Sequence, residues 1–424
     1  MKLAGWLAAL AAFVIPGTSV SAQAQGSNGE NLQVYLMTMG PGAEIYERFD
    51  HNAIWIRDTA AHTDLIYNFG TFEFPHTVAG MLGFVADFAS GKPRYWLGVD
   101  SSLTNVLEEY AFFRRDVTVQ LLNLSYAQRE DIAARLARNA LPENRTYIYD
   151  YYRDNCSTRV RDLLDAVLGG SLREVTVGKP AEGTLRFHTL RSITNDKLLF
   201  VGIDAALGPQ VDKPLDQWDE MFLPIKVQQH IRTLRVPGPN GSESPLVIRE
   251  QGLLTIGTFH VDPAPPHWTF DFLLIGIALA LVIGFATIAG PPGVIGRLVG
   301  SLWLLLMGVG GLLLVFFWTV SANVATHANH NLLVISPLAL LLIVPCWRVG
   351  RVAPSSWVRR VSQVVLATTG VAVVLALLPA AAGQETLPIV LLTAPPTLAA
   401  AALVGWRRMA PGRFRPVESG PLPV

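Results

Sequence analysis

The residue in this chain that invites chemistry is Cys156. It stands in the run Asp154-Asn155-Cys156-Ser157-Thr158-Arg159-Val160-Arg161-Asp162 and is one of two cysteines in 424 residues. Val160, Leu163, Leu164, Val167 and Leu168 follow at the spacing of one helical face, and Gly169 is a natural stop. Asp154 or Asn155 supplies the N-cap, so Cys156 falls in the first turn. There the unpaired N–H groups and the helix dipole favour a thiolate, and the same N–H groups suit a developing oxyanion. The chemistry expected is nucleophilic attack on a carbonyl. Upstream, Thr146-Tyr147-Ile148-Tyr149-Asp150-Tyr151-Tyr152 predicts an aromatic wall beside the thiol.

A thiol nucleophile needs a base. His51, His62, His76, His188, His230 and His260 are available, with His267 further on. His51 heads His51-Asn52-Ala53-Ile54-Trp55-Ile56-Arg57-Asp58, which reads as a strand, and a second strand-like run occupies 64–70. A ring at a strand edge is held rigidly, and Asn68 on the neighbouring strand is placed to orient it. The residues alone leave His51 and His62 both open. There is no H-E-x-x-H pair, no second nearby cysteine, no glycine-rich phosphate loop and no G-x-S-x-G turn, so neither a metal site nor a cofactor is expected.

The chain that must position these groups is made of two unlike halves. Only 16% of its residues are charged, against about a quarter in an ordinary soluble domain. From Pro266 onward there are nine arginines, no lysine and three acids (Asp271, Glu385, Glu418), a balance of +6, and the preceding part carries −6. This excludes a wholly soluble enzyme and a disordered chain. An acidic soluble half also offers no footprint for nucleic acid.

Lys2, an apolar run over 3–15 and the small residues Val20-Ser21-Ala22 read as a secretory signal, assigned to residues 1–24. Five apolar segments follow, over 270–288, 298–320, 332–347, 361–382 and 387–406, most of them near the roughly 20 residues that cross a bilayer. Their connections alternate. Arg297, the cluster Arg348, Arg351, Arg359 and Arg360, and the tail with Arg407, Arg408, Arg413 and Arg415 mark one side. The connections 321–331 and 383–386 carry no arginine. Arginine marks the cytoplasmic side, so the first span enters from outside, in agreement with an exported domain. The expected layout is an extracytoplasmic Cys/His domain at 25–264, a transmembrane helical domain at 265–410 and a cytoplasmic tail at 411–424. The setting expected is a bacterial inner membrane with the thiol on the periplasmic face. Cys346, at the cytoplasmic end of the third span, is then out of reach of Cys156.

The chain resembles the family defined by the Lnb N-terminal periplasmic domain. The resemblance rests on Phe49-Asp50-His51-Asn52-Ala53-Ile54-Trp55-Ile56, on Tyr67-Asn68-Phe69-Gly70-Thr71-Phe72, and above all on the Asn155-Cys156-Ser157-Thr158-Arg159 block. Gly202-Ile203-Asp204, Met221-Phe222-Leu223-Pro224 and the stretch 327–337 add to it. The family usually has Gly before the histidine, where this chain has Asp50, and a carboxylate there would favour imidazolium. The resemblance implies an α+β domain of permuted papain-like fold, followed by an all-α membrane domain of about five helices. It implies Cys156 as nucleophile and His51 as base, with Asn68 or His62 as third member.

By the same resemblance the protein is an acyltransferase. An ester-linked acyl chain would pass through a thioester on Cys156 to the N-terminal amine of a bacterial lipoprotein. The expected partners are the bilayer and a membrane phospholipid or diacylglyceryl lipoprotein. Arg153, Asn155 and Arg159 flank the thiol and are expected to contact substrate. His327, Asn329 and Asn331, in the charge-free connection, are expected to meet a lipid headgroup or the acceptor. A thiol amidase or peptidase acting on peptidoglycan peptides, and a non-catalytic lipid-binding or scaffold protein of the envelope, are the alternatives.

Overall fold

The computed structural model describes residues 29–405 apart from 74, 76, 238–241 and 379–382. The signal at 1–24, His76, and the tail at 411–424 with Arg407, Arg408, Arg413 and Arg415 lie outside the described residues.

Seven antiparallel strands form one sheet in the order β11-β5-β1-β2-β3-β4-β6. They are β1 (Leu32–Met39), β2 (His51–Asp58), β3 (Thr63–Thr71), β4 (Arg94–Asp100), β5 (Val117–Leu122), β6 (Thr146–Ile148) and β11 (Val247–Leu254). Side chains alternate across a strand, and here both faces are covered. Leu32, Val34, Leu36, Ile54, Ile56, Tyr67 and Phe69 face one core. Tyr35, Met37, Met39, Ala53, Trp55 and Ile66 face another, under α2 (Leu103–Phe112). The first core is closed by α3 (Tyr126–Asn139) and α4 (Cys156–Val167), with Ile132, Leu136, Val160 and Leu164 fully buried. The strand expected from His51 to Asp58 and the helix expected around Cys156 are both present.

The remaining N-terminal elements are α1 (Val78–Ala89), α5 (Ser171–Thr176), α6 (Leu185–Ser192), α7 (Lys197–Ala206), α8 (Pro224–Thr233) and the short pairs β7 (Pro180–Thr184) with β8 (Pro214–Asp216) and β9 (Arg235–Pro237) with β10 (Glu243–Pro245).

Among the described residues five segments are long and apolar enough to cross a membrane: Thr269–Thr287, Pro291–Thr319, His330–Trp347, Ser356–Ala376 and Leu387–Gly405. The first begins with α9 (Thr269–Gly284) and the second is α10 (Pro291–Thr319). The second and fourth segments start five or more residues earlier than the sequence reading placed them. Pro291 occupies the first turn of α10, where a missing N–H costs nothing. The helix therefore starts early and takes in Arg297, which is buried and donates to the Ala286 carbonyl. The fourth, α12 (Ser356–Ala376), takes Arg359 and Arg360 into its first turns. The third segment is not a continuous α-helix. It consists of 3-10 turns at His330–Leu333 and Pro337–Leu342 and then α11 (Ile343–Trp347), interrupted where Pro337 cannot donate. In α13 (Leu387–Gly405), Pro395 and Pro396 free the carbonyls of Leu391 and Leu392. Gly276 of α9 lies against those two oxygens; a Cβ there would come within 2.6 Å and 2.8 Å of them. A small residue lets the helices approach closely.

The halves meet in a polar joint. Asn329 and Asn331 both donate to the Ala205 carbonyl at the end of α7, at 2.8 and 3.0 Å. Gln384 donates to the Leu207 carbonyl and to Asn329, and Gly208 N–H donates to Ala325 O at 2.7 Å. Ala322 N–H donates to Ser90 O just past α1. Behind the joint, buried Arg186 spends all five of its N–H donors on Asp204, Asp212 and the Leu207 carbonyl. Both arginine-free connections thus pack against the N-terminal domain.

Candidate active site

The start of α4 is fixed by Asn155. Its side-chain oxygen accepts from the N–H groups of Ser157 and Thr158, each at 2.8 Å, and its own N–H donates to Thr158 Oγ1. Its amide nitrogen donates to the carbonyls of Tyr151 and Phe222. Asn155 is buried with every polar group engaged, so the expected contact with substrate is corrected. It is the cap that positions Cys156.

Cys156 enters a gap in the sheet. The β2–β3 ladder runs from Asp58↔Thr63 to Ile54↔Tyr67 and stops, leaving residues 51–53 and 68–71 unpaired with each other. The head of α4 fills the opening. Gly70, at φ 88, lies against it: a Cβ there would stand 3.7 Å from the Cys156 Cβ. The sulfur lies within hydrogen-bonding reach of the backbone amides of Asn52, Ser157 and Cys156 itself. The Asn52 side chain ties the strand to the helix start by donating to Ser157 Oγ and Pro224 O, at 3.5 and 3.3 Å.

His51, the neighbour of Asn52, is hydrogen-bonded through Nε2 to Asn68 Oδ1 across the same gap. An amide oxygen only accepts, so Nε2 carries the proton and Nδ1 keeps its lone pair. Asn68 thus holds the His51 ring from the neighbouring strand. His62, the other candidate, is exposed in the turn at the far end of the β2–β3 hairpin, with φ 52.

The electrostatics differ from expectation. Burial is the largest influence on the thiol. It outweighs the amides and the nearby Arg115 guanidinium, and pushes Cys156 up to about 11. Burial likewise lowers His51 to about 4, partly opposed by Asn68. At neutral pH the resting groups are a thiol and a neutral imidazole, joined by no hydrogen bond among the described residues, and not the thiolate that the helix start alone suggested. Cys156 is only 7% exposed, so the sulfur is guarded rather than open.

Asp50 does not drive His51 to imidazolium. Burial raises its own carboxyl to about 7, with Arg115 and Arg191 opposing. Its φ of 60 lies in the left-handed region that glycine adopts at no steric cost. Asp50→Gly is expected to stabilise the protein by about 1 kcal/mol through the backbone. Removal of a half-buried carboxyl adds to this. An aspartate with raised folded pKa loses stability as pH rises from its unfolded value of 3.8 toward 7. Thermal unfolding in detergent at pH 5 and pH 8 should show the gain growing with pH.

His51 has the opposite pH signature. Its folded pKa is depressed, so the unfolded imidazole takes up a proton near 6.5 while the folded one resists until about 4. Stability falls as pH drops through that window. His51→Gln should flatten the dependence of the melting temperature between pH 6.5 and pH 4.

The sequence reading missed Arg115. Arg114, at φ 57, closes the end of α2, with Arg114 N–H donating to Ala111 O and Arg115 N–H to Tyr110 O. This aims Arg115 at Gly40, whose carbonyl accepts from Nε at 2.8 Å, beside the Met39↔His51 pair. The guanidinium lies 3.7 Å from Glu47 and acts on both His51 and Cys156. Nothing in the spacing of residues 115 and 156 signals that they meet.

The other expected contacts are placed as follows. Arg159 grips Asp154 with two bonds, at 2.6 and 2.8 Å, and lies 3.5 Å over the Tyr147 ring. Arg153 is exposed and lines a shallow cleft with Phe69, Arg159 and Asp162. His327 is bonded through Nε2 to the Ser321 carbonyl, and Asn329 and Asn331 are buried in the joint. The expectation that this loop meets a lipid headgroup is corrected for the two asparagines, whose amide nitrogens hold the domains together.

Two family models match the chain. The Lnb N-terminal periplasmic domain matches residues 21–196, which hold Cys156, His51 and Asn68. The Lnb transmembrane domain matches residues 263–394. The chain belongs to the Lnb family. This Lnb-family protein is a membrane protein with a periplasmic N-terminal domain of α+β fold, followed by five apolar spans. Neither a curated protein nor a solved structure matches it.

Proposed function

We propose that this Lnb-family protein is a thiol acyltransferase of the cell envelope. Cys156 would take an ester-linked acyl chain as a thioester and pass it to the N-terminal amine of a lipoprotein. The observation that carries this reading is the apolar packing that joins the entry to β2 with the membrane helices. Phe49, two residues before His51, packs in one cluster with Phe272 of α9 and Leu392 of α13. This packing ties the start of the His51 strand to the membrane domain, which supports a lipid ester over a water-soluble peptide as substrate.

In the proposed cycle His51 Nδ1 takes the thiol proton as sulfur attacks the ester carbonyl. A weak base is adequate because the transfer accompanies bond formation and no free thiolate need accumulate. The amides around the sulfur would hold the tetrahedral oxygen. Collapse expels the alcohol, which takes the proton from His51, and leaves a thioester. The acceptor amine then attacks, gives up a proton and releases the thiol. The orientation expected from the arginines, with the C-terminus cytoplasmic, puts this site at the outer surface of the inner membrane.

The test uses full-length protein in phospholipid nanodiscs with a diacylglyceryl lipopeptide. Intact-mass spectrometry should show one acyl chain on Cys156, removable by hydroxylamine, and the lipopeptide amine should become acylated. Hydrolysis of peptidoglycan peptides without any acyl adduct would assign the site to an amidase instead.

A further inference from the structure

Helix α1 is out of place for a water-facing element. It has twelve residues, one of them charged (Asp87), and none is buried. Val78, Leu82, Val85 and Phe88 share a face and are between 55% and 80% exposed. A contiguous apolar patch of this kind marks an interaction surface. At 1.5 Å per residue the helix is about 18 Å long, too short to span a bilayer. Its position supplies the reason for its composition. Ser90, just past its last turn, accepts from Ala322 N–H, and Gly91 abuts the backbone of Ala322 and Asn323. These residues belong to the connection between α10 and the third span, so α1 emerges at the level where the apolar helices end.

The inner side of α1 leads to the thiol. Met81 and Phe84 are half-buried. The Phe84 ring stacks on Phe72 at 6.1 Å, Phe72 meets Tyr95 at 5.0 Å, and Tyr95 meets Tyr149 at 4.4 Å. Tyr149 and Cys156 both border Gly70, at 3.8 and 3.7 Å from where its Cβ would be. A continuous row of rings thus joins the exposed helix to the guarded sulfur.

We propose that α1 lies flat in the leaflet on the thiol side, and that Phe84, Phe72, Tyr95 and Tyr149 form the track along which a single acyl chain of a bilayer lipid reaches Cys156. The purpose of the track rests on the acyl-transfer reading above; the immersion of α1 and the presence of a chain on the rings do not.

The test uses full-length Cys156→Ala, which cannot turn over, in nanodiscs containing phosphatidylcholine with a diazirine in one acyl chain. After illumination, mass spectrometry should find lipid adducts on Leu82, Val85 or Phe88 and also on Phe72 or Tyr95. Leu82→Glu/Val85→Glu should cut labelling of the rings at least tenfold and leave labelling of α10 unchanged. Adducts confined to the spanning helices, or to α1 without the rings, would overturn the proposal. So would cross-linking of Lys92 to Lys92 of another copy by a short amine-reactive reagent in place of lipid labelling, since that would seat a second chain on the face. Labelled rings in a protein that never forms the Cys156 adduct would overturn the proposed function and leave the track standing.

Discussion

Cys156→Ala is expected to abolish acyl transfer, with turnover down on the order of ten-thousand-fold or to background. The hydroxyl of Ser157 cannot substitute, because it is buried and donates to the Met221 carbonyl at 2.8 Å. Cys156→Ser should fail nearly as completely. An imidazole lowered to about 4 is a poor base for a hydroxyl, which is far less acidic than a thiol. His51→Gln should also approach background, and the double variant with Cys156→Ala should be no worse than either single one, because the two act as a unit. Single-turnover acylation of a lipopeptide, with the helical circular dichroism of each variant as the folding check, measures this. Full activity in Cys156→Ser would end the acyltransferase reading.

The second large effect is structural. Arg186→Met should destabilise the N-terminal domain by about 3–5 kcal/mol, the usual cost of stranding a buried charge partner. Asp204 and Asp212 would be left facing each other in the interior with no cation between them. Arg186→Lys should rescue little, since a lysine has three donors where five are in use. The loss should also reach the joint, because Arg186 holds the Leu207 carbonyl that Gln384 also binds. The measurement is a thermal scan in detergent, with cleavage between the halves by added protease as a second readout. An unchanged first transition in Arg186→Met would refute this account.

Much of the site is local in sequence and so was legible there. The N-cap Asn155, the apolar spacing from Val160 to Leu168 and the stop at Gly169 lie within fifteen residues, and each follows from helix physics. The His51 and Asn68 strands are also local, joined by one hairpin. What stayed hidden depends on contacts between distant segments. The helix dipole at Cys156 is legible in sequence, but the burial that overrides it is set by strands nearly a hundred residues upstream. Arg115 reaches the site through a helix end whose partner, Gly40, lies 75 positions away. The asparagines at 329 and 331 look like ligand residues because a polar, charge-free loop reads the same whether it meets solvent, lipid or the Ala205 carbonyl. Arg297 was assigned to the connection before the second span, whereas Pro291 in the first turn of α10 starts that helix six residues ahead of it.

Gly91 and Gly208 have a consequence for where the protein can work. At both positions backbone rests on backbone across the joint: a Cβ would come within 2.6 Å of Asn323 N at Gly91 and 2.1 Å of His327 O at Gly208. Two such seats leave no side chains that could slide or repack to raise or lower one half on the other. The height of the sulfur above the hydrocarbon is then a fixed length built into the chain. In a thicker or thinner bilayer the protein cannot adapt by sliding, so the lipids around it must stretch or compress.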